Sequence, residues 1–471
     1  MTEPVLDGAR VVVAGLGVTG RAVVSALAGR AAAVVTVDAR SADADVTGTD
    51  AADPAVLDRV VADADLLVAS PGWPPSSALL VAARAAGTPV WSEVELAWRL
   101  RAGAPWLAVT GTNGKTTTVQ MLASILTAAG LRTAAVGNVG TPVLAAAQDP
   151  DLDVLAVELS SFQLHHTRTM AVEAGAVLNV AADHLDWHGS ADAYAQAKGR
   201  IYRGAQVACV YNVADPTTEA LVRSADVAEG ALAVGFTLGA PGPGQVGLVA
   251  DVLVDRAFHA PPDAPDRHRS AAELATLDDL AHLGPDGAPG HVVADALAAA
   301  ALARAHGVEA RAVRDGLRAF RADAHRAAVV RRLDGVAYVD DSKATNAHAA
   351  AASLASCAPG TAVWVAGGLA KGASFDELVA SRADRLRAAV VIGTDPAPWT
   401  DALARHAPEI PVVVVDPGDT GTVMRRAVAA ARELAGSGDT VLLAPAGASM
   451  DQFTSYAARG DAFVAAVEDL R

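Results

Sequence analysis

The sequence predicts an α/β protein of three segments, each an open, mostly parallel sheet covered by helices. Short β-branched runs recur along the chain and stop at glycine-rich or polar loops, with helical stretches between them. That alternation is expected of strands buried on both faces. The chain is 471 residues long, which at roughly 150 residues per domain suits about three domains. Two of its loops also have the glycine spacing that lets backbone N–H groups approach phosphate oxygens.

The first segment, 1–105, opens with the run Arg10 to Ala14, followed by Gly15-Leu16-Gly17-Val18-Thr19-Gly20 and a helical stretch to about Gly29. Val34 to Val37 reads as a second strand ending in Asp38, and Asp65 to Ala69 as a third, stopped by Ser70-Pro71-Gly72. A G-x-G-x-x-G turn that opens a helix holds a diphosphate at the helix N-terminus, with the later aspartate on a ribose hydroxyl. Asp38 follows Gly20 by 18 residues. Alone, the motif fits a dinucleotide, another nucleotide diphosphate or a purely structural turn. The segment is expected to be a Rossmann-like nucleotide-binding sheet.

The second segment, 106–322, begins with the apolar run Trp106 to Val109, which leads into Thr110-Gly111-Thr112-Asn113-Gly114-Lys115-Thr116-Thr117. A strand, a glycine turn, a lysine and a threonine together form a shortened P-loop: Lys115 faces the terminal phosphates and the Thr116 hydroxyl a magnesium ion. Val109 stands where a strict P-loop has another glycine. The segment is expected to be P-loop ATPase-like. Asp153 to Val157 reads as a strand ending at Glu158, and Ala174 to Val180 as one followed by Asp183-His184. These polar residues collect beyond strand carboxyl ends, where open α/β sheets bind ligands. From Gly239 to Gly290 the chain is rich in proline, glycine and aspartate. Val246 to Val254 is expected there as one edge strand and the rest as a surface excursion, with a helix from about His291 to Ala305.

The third segment, 323–471, repeats the pattern five times as a further Rossmann-like α/β domain. Its strands are Val336 to Val339, Thr361 to Ala366, Ala388 to Ile392, Pro411 to Val415 and Thr440 to Leu443. The first leads into Asp340-Asp341-Ser342-Lys343-Ala344-Thr345-Asn346, and the last into Ala444-Pro445-Ala446-Gly447-Ala448-Ser449. The Asp341 to Asn346 loop suits either a small dicarboxylate or an N-capped turn.

Composition narrows the function. The 52% hydrophobic content, mostly alanine and valine, fills several cores, whereas aromatics make up only 4%. A net charge of −16 argues against a nucleic-acid partner, which needs a basic stripe. The two cysteines, Cys209 and Cys357, are far apart and form neither a disulfide framework nor a zinc spacing. No basic, apolar leader opens the chain, and no apolar run approaches the ~18 residues that span a bilayer. A soluble cytoplasmic protein without membrane insertion is expected.

Single residues are more ambiguous. Glu158 reads as a magnesium ligand or as a helix-cap carboxylate, since Ser160 and Gln163 suit a helix start. His184, beside Asp183, is either functional or a hydrogen-bonded surface group. Lys198 has the local sequence of a solvated helix lysine. His165, His166 and His348 show no metal-ligand spacing and are taken as structural.

Together these stretches resemble the Mur ligases of peptidoglycan synthesis over nearly the whole chain, most closely the D-glutamate-adding branch. The resemblance is carried by Gly15 to Gly20, Ser70 to Gly72, Gly111 to Thr117, Gly137-Asn138-Val139-Gly140, Glu158 to Gln163, Asn179 with Asp183-His184, Asp341 to Asn346 and Ser449-Met450-Asp451-Gln452-Phe453. It implies a monomer with three substrates: ATP, UDP-N-acetylmuramoyl-L-alanine and D-glutamate. Gly17, Val18, Thr19, Asp38, Arg40, Ser70, Gly72, Asn138, Ser160 and His184 would bind the UDP-substrate. Gly111, Thr112, Asn113, Gly114, Lys115, Thr116 and Thr117, with Arg326 and Asp341, would bind ATP. Two Mg2+ ions are implied, one on Thr116 and Glu158 and the other on His184 with Lys198 in carbamylated form. The implied catalytic set is Lys115, Glu158, His184 and Lys198. Lys343, Thr345, Lys371, Ser449 and Tyr456 would hold D-glutamate. Closure about a hinge near Arg321 to Asp323 is expected.

Two stretches depart from the family pattern. His291-Val292-Val293-Ala294-Asp295 replaces a His-Asn-x-x-Asn motif, and Gly367-Gly368-Leu369-Ala370-Lys371 keeps the lysine of a glycine loop but loses its aspartate. Another amino-acid-adding Mur ligase, a folate polyglutamate ligase and a non-catalytic nucleotide-binding relative remain the alternatives.

Overall fold

The computed structural model describes residues 5–181, 183–261, 263–284, 287–321 and 324–470. The expected hinge therefore falls largely on 322–323, outside the described residues.

In the first sheet, strand Arg10–Ala14 lies between Ala33–Val37 and Leu66–Ala69, with Val90–Ser92 beyond the latter, all parallel. Alternate strand residues face opposite sides. Val11 and Val13 pack with Val23 and Leu27 on one face, and Val12 and Ala14 with Leu57, Val61 and Leu79 on the other. The continuous apolar run is thus the mark of two covered faces. Strand Val90–Ser92 has only three residues, too few to show a period.

The second sheet has nine strands, in the order Ala272–Thr276, Val252–Asp255, Gln245–Val249, Leu232–Phe236, Ala208–Asn212, Ala174–Val177, Trp106–Thr110, Val154–Glu158, Thr133–Gly137. The last seven are parallel, Val252–Asp255 runs against them, and Ala272–Thr276 pairs antiparallel to Val252–Asp255. The single edge strand expected at Val246 to Val254 is instead a hairpin, turning at Ala250 with φ 55 and pairing Val249 with Val252. Nor is it the edge, because Ala272–Thr276 pairs outside it. The region is tied to the core as well: the fully buried Asp255 accepts a hydrogen bond from Arg304 Nε at 2.9 Å.

The third sheet runs Ala328–Leu333, Val336–Asp340, Thr440–Ala446, Ala362–Gly367, Leu386–Ile392, Val412–Val414. Its sixth strand, beyond the five expected, is Ala328–Leu333, the antiparallel partner of Val336–Asp340. It is only partly buried and carries Arg331 and Arg332, so it lacks an apolar run. At the heart of this sheet, Trp364 donates its indole N–H to the Ala444 carbonyl at 2.7 Å.

The residues fall into two compact units. One contains the chain to Thr276 with Ala294–Phe320, and so holds the first two sheets; the other contains Leu277–Val293 with Arg321 onward. Among the described residues, no helix is long and apolar enough to cross a membrane.

Candidate active site

The phosphate loop leaves the fully buried strand Trp106–Thr110 and enters helix Lys115–Ala128. Gly114 caps that helix at φ 83, and a Cβ there would stand 2.3 Å from Asp295 Oδ1. Glycine is thus required both by conformation and by space. Lys115 Nζ lies over the loop, donating to the carbonyls of Gly111 at 2.9 Å and Thr112 at 2.8 Å. Asn113 N–H donates to Asn179 Oδ1 at 2.9 Å, and Thr112 Oγ1 is 3.1 Å from the Tyr194 hydroxyl. Thr117 is buried one position further into the helix.

Glu158 closes the neighbouring strand, opposite Val109. Thr116 Oγ1 donates to its Oε2 at 2.7 Å, and Asn138 Nδ2 to its Oε1 at 2.8 Å. The carboxylate is therefore turned toward the loop. Ser160 is the helix cap, in a reciprocal capping box with Gln163.

Lys198 departs from its local sequence. It belongs to helix Ala191–Gly199 but is only 2% exposed, since this face of the helix packs over the phosphate loop. Its Nζ donates to the Gly111 carbonyl at 2.8 Å and sits 4.4 Å from the centre of the Tyr194 ring. One carbonyl thus receives both lysines. Burial, and then the Lys115 charge, hold the Lys198 amine well below its usual pKa. Tyr194 had no signal beyond its place four residues before Lys198, yet it touches both the loop and Lys198.

His184 is in the left-handed region at φ 52. Its ring is 3.5 Å from Asp183 and packs edge-on against Phe162, 4.7 Å between centres. Tyr194 lies beyond it, at 6.4 Å. His165 and His166 are held neutral, with burial pushing their pKa values down to about 4 and about 3.

Among the described residues, no three or more His, Cys, Asp or Glu side chains converge as a metal cage. The Thr116–Glu158 pair fits magnesium differently, as two hard oxygens that leave the other positions to water and phosphate.

The first and second sheets jointly line an open cavity of about 240 Å³, formed by Val18, Thr19, Pro71, Asn138, Val139 and Gln163 among others. Gly17 caps the helix at its rim. Gly20 permits helix and strand to meet, because a Cβ there would be 1.8 Å from the Gly15 carbonyl. The Ser70 hydroxyl, buried without a hydrogen-bond partner, lies against Gly15, while Gly72 is uncrowded. Asp38 is not among the lining residues. Its carboxylate accepts from the backbone N–H groups of Leu16, Arg40 and Ser41, at 2.8, 2.9 and 3.2 Å. These bonds lower its pKa and tie the glycine turn to the end of the second strand. Arg40 is exposed.

Behind the cavity, Gln163 Nε2 donates to Glu93 Oε1 at 2.8 Å, and Glu93 Oε2 is buried without a partner. Burial pushes the Glu93 carboxyl up to about 7, against the opposing Gln163 hydrogen bond. Glu95 accepts from the backbone of Arg168 and Thr169 at 2.7 and 2.9 Å. This junction between the two sheets had no motif to announce it.

In the second unit, Lys343 Nζ sits 4.0 Å from the centre of the Tyr456 ring. Leu369 and Ala448 exchange backbone hydrogen bonds of 2.8 and 3.1 Å, which sets the loop of Lys371 beside that of Ser449. Lys371 has φ 50, Ser449 is buried, and Thr345 N–H donates to the Lys343 carbonyl. A Cβ at Gly447 would meet the Trp399 ring at 2.8 Å, so the loop lies directly on that indole. Asp341 is pushed up to about 6 by burial, opposed by a Ser353 hydrogen bond, the Ala327 N–H and the nearby Arg326 charge.

In fold, the molecule is like two solved ligases. The pseudomurein peptide ligase type C from Methanothermus fervidus matches with a TM-score of 0.59 over 98% of this chain and 100% of that one, at 16% identity. UDP-N-acetylmuramate-alanine ligase MurC from Thermotoga maritima matches with a TM-score of 0.56 over 98% and 99%, also at 16% identity. Three family models also match: the Mur ligase MurD-like N-terminal domain at 9–92, the Mur ligase middle domain at 109–241, and the Mur ligase glutamate ligase domain at 325–447. The chain belongs to the Mur ligase family. It is 59% identical to the UDP-N-acetylmuramoylalanine–D-glutamate ligase of Streptomyces avermitilis over 98% of this chain and 99% of that one. It is 52% identical to that of Thermobifida fusca over 99% of both.

Proposed function

We propose that this chain is an ATP-dependent ligase that joins D-glutamate to UDP-N-acetylmuramoyl-L-alanine, in the cytoplasm, during peptidoglycan precursor synthesis. Full-length identity with relatives bearing that name carries the reading. The site supports the chemistry. Segments 1–105, 106–322 and 323–471 serve the UDP-substrate, ATP and the amino acid in turn.

A carboxylate is a poor electrophile, so the γ-phosphate of ATP is first transferred to the alanine carboxylate, forming an acyl phosphate and ADP. The amine of D-glutamate then attacks the acyl carbon, phosphate leaves and an amide remains. Negative charge gathers on phosphoryl oxygens in the first step, where Lys115 and the loop N–H groups offset it. Thr116 and Glu158 would hold one magnesium ion, and His184 with carbamylated Lys198 a second, supplying further charge neutralisation. A neutral amine is the form that adds carbon dioxide, and burial beside Lys115 favours it at Lys198. Thr19, Asn138, Ser70 and Ser160 orient the nucleotide substrate. Arg326 and Asp341 contact ATP, and Lys343, Thr345, Lys371, Ser449 and Tyr456 grip D-glutamate.

The test is phosphate release from ATP and UDP-N-acetylmuramoyl-L-alanine with D-glutamate, L-glutamate, L-alanine or diaminopimelate. We expect release with D-glutamate alone. Equal release with another amino acid would move the chain to a different branch of the family.

A further inference from the structure

Arg459 is a deeply buried cation that the mechanism above leaves unused, at 1% exposure. It follows Tyr456 by one helical turn in Tyr456–Glu468. Its Nε donates to Ser342 Oγ at 3.0 Å and its Nη2 to the Ser342 carbonyl at 2.9 Å. Its Nη1 reaches the Gly447 carbonyl at 3.0 Å and the Gly367 carbonyl at 3.5 Å. Ser342 Oγ in turn donates to the Tyr456 carbonyl at 2.7 Å. One guanidinium therefore joins the ends of three strands, at the start of the loops bearing Lys343 and Thr345, Lys371, and Ser449.

The fixed fork of guanidinium donors suits such a junction, whereas the donors of a lysine all leave from one nitrogen and span less distance. All four acceptors are neutral. No carboxylate forms a salt bridge with Arg459 among the described residues, and Asp451 and Asp340 act on it only through space. Burial lowers its pKa to about 10, so the charge persists at neutral pH. Its hydrogen-bond partners are thus all dipoles held in fixed positions, while Asp451 and Asp340 offset part of its charge through space.

We propose that Arg459 is a positioning residue for the amino-acid substrate: it fixes in one arrangement the three loops that would hold a dicarboxylate. The proposal rests on reading those loops as the D-glutamate site.

The experiment uses the full chain with ATP and UDP-N-acetylmuramoyl-L-alanine and compares Arg459→Lys with the parent. Losing charged hydrogen bonds is expected to raise the KM for D-glutamate about 10- to 100-fold. The KM for the UDP-substrate, and ADP formed in a single turnover without D-glutamate, should stay within about twofold. An unchanged KM for D-glutamate, or an equal rise for all three substrates, overturns the proposal. If Arg459→Lys does not fold, Ser342→Ala decides: a several-fold rise confined to D-glutamate supports it, and no rise overturns it. Failure of the functional reading would look different, because the parent itself would then show no dependence on D-glutamate.

Discussion

Lys115 and Lys198 converge on one carbonyl, and that geometry makes the second lysine a chemical oddity rather than a simple counter-charge. Lys198→Ala is expected to lower ligase turnover by about 100-fold or more, the order seen when a preorganised electrostatic group is lost. Millimolar acetate or propionate should restore part of it, since a small carboxylate can fill the vacated space; no recovery would remove the carbamate from the mechanism. Glu93 gives a prediction of different kind. Its carboxyl is raised from the usual 4.5 to about 7 by burial, so the fold favours the protonated form. The stability it contributes is complete below about pH 4.5 and lost as pH rises through about 7, amounting to about 3 kcal/mol. Glu93→Gln should therefore gain on the parent in urea unfolding at pH 8 and match it more closely at pH 5. A pH-independent difference would mean that the carboxyl is already charged in the native state.

The glycine turn at the start of the first helix is set by contact, not by flexibility alone. Gly20→Ala would place a methyl 1.8 Å from the Gly15 carbonyl, and overpacking of this type costs about 1–3 kcal/mol. The KM for the UDP-substrate should rise with it while the KM for ATP holds, which steady-state kinetics will separate. Ser160→Ala removes one half of the capping box and should cost about 1 kcal/mol by denaturant unfolding. Such motifs were legible because a turn or cap needs particular residues at fixed offsets. The parallel strands ending at Ala14, Thr110 and Glu158 were legible because burial on both faces demands unbroken apolar runs. The hairpin at Ala250 was not, since valines continue on both sides of the turn and only backbone pairing reveals the reversal. The burial of Lys198 was hidden for a similar reason: its helix is amphipathic only with respect to a loop more than 80 residues earlier. Arg459 and Tyr194 likewise act through distant carbonyls and hydroxyls, which no local spacing encodes.

The first two sheets lie in one compact unit, clasped where Glu93 and Glu95 meet Gln163 to Thr169. Heat should then unfold those sheets together and the remaining unit separately, giving two calorimetric transitions. The UDP-substrate is expected to raise only the transition of the larger unit; a single transition shifted as a whole would show that the units do not unfold independently. Trp399 offers a way to watch the smaller one. Of the seven tryptophans, only Trp364 and Trp399 belong to that unit, and Trp399 lies beneath the Gly447 backbone. With its indole stacked on Phe375 at 4.3 Å, it is a built-in optical probe. Small shifts of the loop two residues from Ser449 would alter its emission, so that the arrival of an amino acid becomes visible as a change of light without any label.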